Sequence, residues 1–174
     1  MRSAGFTLIE LLVVISIIAI MSVVGFTNFK TFSADQVAVK GAGQIQSLLR
    51  LAQSNATTAT LCDNSGSTSW SLVLKNNNEI ELHCSKPGDY THKKYSLENA
   101  EMESVECSNN MPVNLSVSLL TFSYASLSGS VTFLSSEACV KNTSSLKITL
   151  KNKNEANAKK KTITISKGGT IDVQ

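Results

Sequence analysis

Apolar residues are spread along this chain in three different ways, and each predicts a different element. From Phe6 to Phe29 they run almost without interruption, and Glu10 is the only charge among them. Beyond Lys30 they thin to steps of three and four: Val37, Gly41, Ile45, Leu48 or Leu49, Ala52, Ala56 and Ala59. That spacing puts one apolar stripe on a helix. We therefore expect one helix to run through both stretches to about Thr58. Its second half would pack the stripe on a sheet and turn Lys40, Gln44, Gln46, Arg50 and Gln53 to water. Gly25, Gly41 and Gly43 each weaken a helix interior by about 1 kcal/mol relative to alanine, so bending is expected at these points.

After the helix the period drops to two. "SWSLVLKNNNEIEL" alternates on both sides of Asn76-Asn77-Asn78, a hairpin signal because asparagine tolerates positive φ. "PVNLSVSLLTF" from Pro112 is a second alternating run. "GSVTFL", "SLKITLKN" and "KTITISKGGTIDV" supply further strands, the last with a Gly168-Gly169 turn. The pattern predicts an α+β fold, a long helix laid on an antiparallel sheet.

At 174 residues, with 42% hydrophobic and 17% charged residues, the chain has room for one domain plus one special segment. The formal net charge of +3 is too small to imply a nucleic-acid partner by itself. A helix from Phe6 to Phe29 would be about 36 Å long at about 1.5 Å per residue, enough to cross a hydrocarbon core of about 30 Å. Three fates compete for it: a cleaved secretory signal, a permanent anchor, or a membrane-resident segment that later leaves the bilayer. A secretory signal has a basic start in Arg2 and a weak small-residue site at Val23-Val24-Gly25. It has no use for a carboxylate at the head of its apolar run. Near a bilayer centre such a charge costs about 2.5 to 3.5 kcal/mol, less toward the interface. A carboxylate in the first turn of a helix is favoured by the dipole, but a buried one needs a partner.

The stretch "AGFTLIELLVVISIIAIM", with Arg2 in a short leader, Gly5, Phe6 and Glu10 ahead of the apolar run, resembles the leader and first helix of type IV pilins and type II secretion pseudopilins. The resemblance implies a pilin-like fold and a role in assembly rather than catalysis. In that family a prepilin peptidase cuts after the glycine matching Gly5 and N-methylates the residue matching Phe6. Glu10 would then pair with the Phe6 amine of a neighbouring subunit. The implied organisation is a leader at 1–5, a transmembrane and fibre-core helix at 6–29, its amphipathic half at 30–59 and a β-rich head at 60–174. The implied partners are the peptidase, sister subunits in a helical fibre, an inner-membrane assembly platform, and lipid before assembly. The implied location is the inner membrane, single-pass with a periplasmic head, and later the pilus or pseudopilus, which can reach the cell surface. Many pilins carry a proline just beyond the membrane part of this helix. The corresponding Gly25-Phe26-Thr27-Asn28 has none. "LLRLAQSNATT" at the helix end and the closing "KTITISKGGTIDV" resemble the GspH/FimT group of minor pilins and pseudopilins.

Four cysteines, Cys62, Cys84, Cys107 and Cys139, all follow the apolar segment, which suits disulfides in an exported domain. Cys62 and Cys84 bracket the Trp70 hairpin, which favours pairing Cys62 with Cys84 and Cys107 with Cys139; the other two connectivities stay open. His83 beside Cys84, and His92 in "GDYTHKKY", raise a Cys-His nucleophile, but that segment reads as an exposed loop and the thiols are better used as bridges. No catalytic or metal motif is evident, and we expect neither enzyme activity nor a cofactor. Lysines gather late, with Lys159, Lys160, Lys161 and Lys167 among them. In "KNKNEANAKKKT" they read first as a solvated loop that keeps an edge hairpin soluble. Some FimT-like proteins bind DNA through a basic C-terminal region with a Gly-Arg-x-Arg pattern. The matching Gly169-Thr170-Ile171-Asp172 lacks both arginines, so a DNA contact by these lysines is the less favoured expectation.

Overall fold

The computed structural model describes residues 7–62, 69–76, 78–84, 90–114, 119–127, 129–155 and 157–174, with backbone alone at 23–31 and 90–92. One helix, α1 (Leu8–Thr57), runs unbroken through both apolar patterns and through Gly25, Gly41 and Gly43. Thr58 closes it, and Ala59, expected in the stripe, instead leaves the helix with φ of 50° and is exposed.

The buried stripe is Ala38, Gly41, Ala42, Ile45, Leu48, Leu49, Ala52 and Ala56. Small residues dominate it, which lets strands come close. A Cβ on Gly41 would stand 2.8 Å from the Ala100 side chain. Two residues expected to face water are used otherwise. Gln44 Nε2 donates to the Ser96 carbonyl at 3.1 Å and Gln53 Nε2 to the Gly129 carbonyl at 2.8 Å. Both tie the helix to backbone carbonyls of the head.

The helix carries two antiparallel sheets where one was expected. The first contains β1 (Ser69–Leu74), β2 (Glu79–Cys84), β3 (Tyr90–Ser96), β5 (Leu120–Ala125) and β6 (Val131–Leu134), in the order β3-β2-β1-β5-β6. The second contains β4 (Ala100–Cys107), β7 (Ser145–Asn152), β8 (Lys161–Ser166) and β9 (Ile171–Val173), in the order β4-β7-β8-β9. A five-residue helix, α2 (Ala138–Asn142), lies between β6 and β7. The faces toward α1 supply the core: Trp70, Leu72 and Leu74, then Leu120 and Phe122, then Leu146, Ile148 and Leu150. In β7 the alternation is strict, with Leu146, Ile148, Leu150 and Asn152 buried between more open neighbours.

The β1–β2 hairpin turns as its asparagines suggest, with Asn78 at φ 60°. Asn78 also joins the sheets, because its Oδ1 accepts from Met102 N at 3.1 Å and its carbonyl from Leu97 N at 3.1 Å. At the β8–β9 turn Gly169 has φ 85°, and a Cβ there would strike the Gly129 carbonyl.

Three other expectations need correction. "YTHKKYS" is a strand, because the open edge of β2 gives its polar residues a ladder to complete. Of the run from Pro112, only Leu120 onward is strand among the described residues. Pro112 makes a single bridge to Glu106, and 115–118 lie outside the description. The β7–β8 pair is no edge hairpin either: β4 and β9 flank it on both sides.

Candidate functional site

Thr7 starts α1. It holds extended backbone angles at the N-cap, and its Oγ1 accepts from Glu10 N at 3.3 Å. Glu10 therefore sits at the third helical position, in the first turn, where the dipole favours a carboxylate. It is exposed. Gly5 and Phe6, the expected processing site and the source of the amine for Glu10, lie outside the described residues.

The first part of the helix projects from the head. Every large apolar side chain described from Leu8 to Met21 is exposed, from 43% at Val14 to 81% at Leu8. The polar interruptions are neutralised within the helix, because Ser16 Oγ donates to the Leu12 carbonyl at 2.8 Å and Ser22 Oγ to the Ile18 carbonyl at 2.7 Å. An all-round apolar surface of this kind asks for lipid or for other helices. Among the described residues no helix is long and apolar enough to cross a membrane, and the side chains of 23–31, which continue the apolar run in sequence, are outside the description.

Cys62 is bonded to Cys84, with Cα atoms 6.0 Å apart, and Cys107 to Cys139, at 6.3 Å. The first bridge joins the exit of α1 to β2, and the second joins β4 to α2. Both tie the head together around the helix. With Cys84 bonded, His83 has no thiol to activate; its Nε2 instead lies 3.0 Å from Glu81 Oε2. His92 falls in β3, with its side chain outside the description.

Glu81 is the acid that sequence reasoning missed. It sits in β2 on the face away from α1, opposite Val73 in β1 and Lys94 in β3, and is only 3% exposed. Lys75 Nζ approaches Oε1 at 2.7 Å and Lys94 Nζ at 3.2 Å, with the His83 Nε2 proton on the other oxygen. Burial by itself raises the pKa of this carboxyl. The hydrogen bonds from Lys75, His83 and Lys94, with the Lys75 charge, outweigh burial and hold it at about 2. The missing signal was β3, since Lys94 reaches Glu81 only through that strand.

The four lysines considered for a nucleic-acid contact are not brought together. Lys159 and Lys160 lie in the β7–β8 connection, where Lys159 Nζ is 3.8 Å from Asp35 Oδ2 and Lys160 Nζ 2.6 Å from Glu103 Oε1. Lys161 begins β8 and Lys167 follows its far end, about 17 Å away for five strand steps. There the Lys167 ammonium donates to the Lys141 carbonyl at 3.4 Å.

Comparison with known proteins agrees with the two halves of this geometry separately. The family description "Prokaryotic N-terminal methylation motif" matches residues 1–26. In fold, the chain is similar to the minor pseudopilin EpsH from the type 2 secretion system of Vibrio cholerae, with a TM-score of 0.52 and 12% identity, over 79% of this chain and 95% of that one. No curated protein sequence matches. A methylation motif therefore opens a helix that leads into a fold similar to that of a minor pseudopilin.

Proposed function

We propose that this chain is a minor pseudopilin or pilin subunit, cut by prepilin peptidase after Gly5, N-methylated at Phe6 and assembled into a helical fibre. The observation that carries the proposal is the apolar half of α1, exposed from Leu8 to Met21 behind a methylation motif. In water that surface is unstable. In the inner membrane it is solvated by lipid, and in a fibre by like helices. Residues 6–29 form the membrane and fibre-core segment, 30–59 the spine of the head, and 60–174 the head itself, which stays periplasmic until assembly. An assembly platform in the inner membrane moves the helix from lipid into the fibre. Glu10 guides the transfer by pairing with the Phe6 amine of the next subunit, a partner created only by cleavage. The likeness to EpsH favours a secretion pseudopilus over an adhesive or DNA-uptake pilus. The protein's role is that of a structural subunit, with no chemistry of its own.

Intact mass of the protein recovered from membranes tests processing. The expected species begins at Phe6 and carries one added methyl group, whereas a terminus near Phe26 would mean an ordinary secreted protein. Glu10→Ala tests assembly. The variant should remain in the membrane with a folded head and fail to enter fibres formed with its sister subunits. Normal incorporation of Glu10→Ala would remove the pairing role.

A further inference from the structure

We propose that the end of the head from which α1 emerges carries an ammonium rim, Lys153, Lys159 and Lys160, that rests on anionic phospholipid headgroups around the base of the helix. This rests on the membrane-resident stage proposed above.

The β7–β8 connection is fastened to α1 at one level. Asn152 Nδ2 donates to the Ala34 carbonyl at 3.1 Å, and Lys159 N donates to Asp35 Oδ1 at 2.8 Å. Asp35 lies six residues beyond Phe29, where the apolar run ends, so the fastening stands about 9 Å above that end. Each headgroup layer is about 5 to 7 Å deep. The connection is therefore held just over the bilayer surface whenever the apolar segment is in lipid, within reach of a lysine stem.

The charges there lie in two layers. The side chains of Asp35 and Glu103 are 20% and 28% exposed, while those of Lys159 and Lys160, which they face, are 85% and 50% exposed. The acids position the lysines from beneath, and the lysines present the outer surface. Lys153 is exposed and makes no ion pair among the described residues. Lys151 is set further back, paired with Glu101 at 3.1 Å. The opposing charge at the surface is Glu155, which is exposed in the same connection. Lys141 and Lys167 belong to the far end of the second sheet and take no part. Three cations around a membrane-embedded helix suit lipid phosphates, whereas a nucleic-acid duplex at this level would collide with the bilayer. Such a contact would set the height and tilt of the head over the membrane before the helix is drawn into a fibre.

The test uses the full chain in nanodiscs of phosphatidylcholine alone or of phosphatidylcholine with phosphatidylglycerol, followed by hydrogen exchange. Amides of 153–160 should exchange at least about fivefold more slowly in the anionic discs, the contribution of one lysine held at such a surface. High salt should abolish the difference, as should the combined variant Lys153→Gln, Lys159→Gln and Lys160→Gln. Unchanged protection of Ile163 and Ile165 in β8 would verify that the variant head is folded. Equal exchange in the two lipids, or equal protection of 153–160 by a DNA duplex added to the neutral discs, would overturn the rim. A chain that fails to enter either disc would instead overturn the membrane stage itself.

Discussion

The two halves of α1 share one backbone, yet they solve opposite problems. From Ala38 to Ala56 the helix buries a stripe made mostly of small residues, with Gly41 at the closest approach, and its few large residues complete the core of the head. From Leu8 to Met21 it is mostly isoleucine, leucine and valine, and every one of these side chains is exposed. The first pattern fits a surface already present in the molecule. The second fits a solvent or a neighbour that the chain must find. The same division separates two acids: Glu81 has Lys75, His83 and Lys94 within its own fold, whereas Glu10 stands exposed at the helix start.

The largest expected effect tests this division directly. Leu49 is fully buried, so Leu49→Ala should cost about 2 to 5 kcal/mol in transfer and cavity terms. Ile15→Ala, at a site 55% exposed, should stay within about 0.5 kcal/mol. Denaturant unfolding in mild detergent, followed through the single tryptophan, Trp70, reads both, because that side chain is 2% exposed in the head. A comparable loss from Ile15→Ala would mean that the two halves of the helix are not independent.

Next comes the buried acid. The folded pKa of Glu81, about 2, lies below its ordinary value of 4.5, so its contribution is present above pH 4.5 and disappears as the pH falls toward 2. The size is on the order of 2 to 3 kcal/mol. Stability of the head should therefore drop across that window. Glu81→Gln should flatten the drop and lower stability at neutral pH. A wild-type curve that is flat between pH 4.5 and 2 would show that the lysines around Glu81 are too well solvated to matter.

How far the sequence discloses these features depends on whether their partners are local. The helix was legible because its periodicity repeats over many turns, and the β1–β2, β7 and β8 alternations because each strand carries its own pattern. β4 was not. Its acids Glu101, Glu103 and Glu106 dilute the apolar signal, and the register shifts between Met102 and Ser104, so period two fails within the strand. β3 is a polar edge strand whose only reason to extend is the ladder on β2. Glu81 was harder to see because one of its cations, Lys94, arrives through that unseen strand. Glu10 stood out for the opposite reason: inside an apolar run, a lone acid cannot be hidden by its neighbours.

Gly41 and Gly43 sharpen the contrast between a surface already fitted and one left open. A Cβ at Gly41 would meet the Ala100 Cβ at 2.8 Å, and both atoms are fixed to backbone, so neither can rotate aside. Gly41→Ala should destabilise by about 1 to 3 kcal/mol, despite the better helix propensity of alanine. Ala100→Gly in the same chain should recover part of the loss. At Gly43 a Cβ meets nothing within 4 Å, so Gly43→Ala should stabilise by about 1 kcal/mol. Thermal unfolding of the three variants reads the sign of each step. If Gly41→Ala were neutral, the helix would have slack against β4, and small residues in the stripe would not be setting its distance from the sheets.

The smallest effect lies in the core that the packed half covers. Tyr124 in β5 is fully buried, and its hydroxyl has no hydrogen-bond partner among the described residues; burial raises its pKa to about 12. The ring packs as phenylalanine would, while the oxygen carries a desolvation cost that nothing offsets. Tyr124→Phe should then stabilise the head by about 1 kcal/mol, with the denaturant slope unchanged because no surface is newly exposed. This gain should be the same in the full chain and in Ile15→Ala, since the protruding helix makes no contact with β5. A loss of stability in Tyr124→Phe would show that the hydroxyl is bonded to buried water, and that the core beneath α1 is less dry than the packing of its alanine stripe implies.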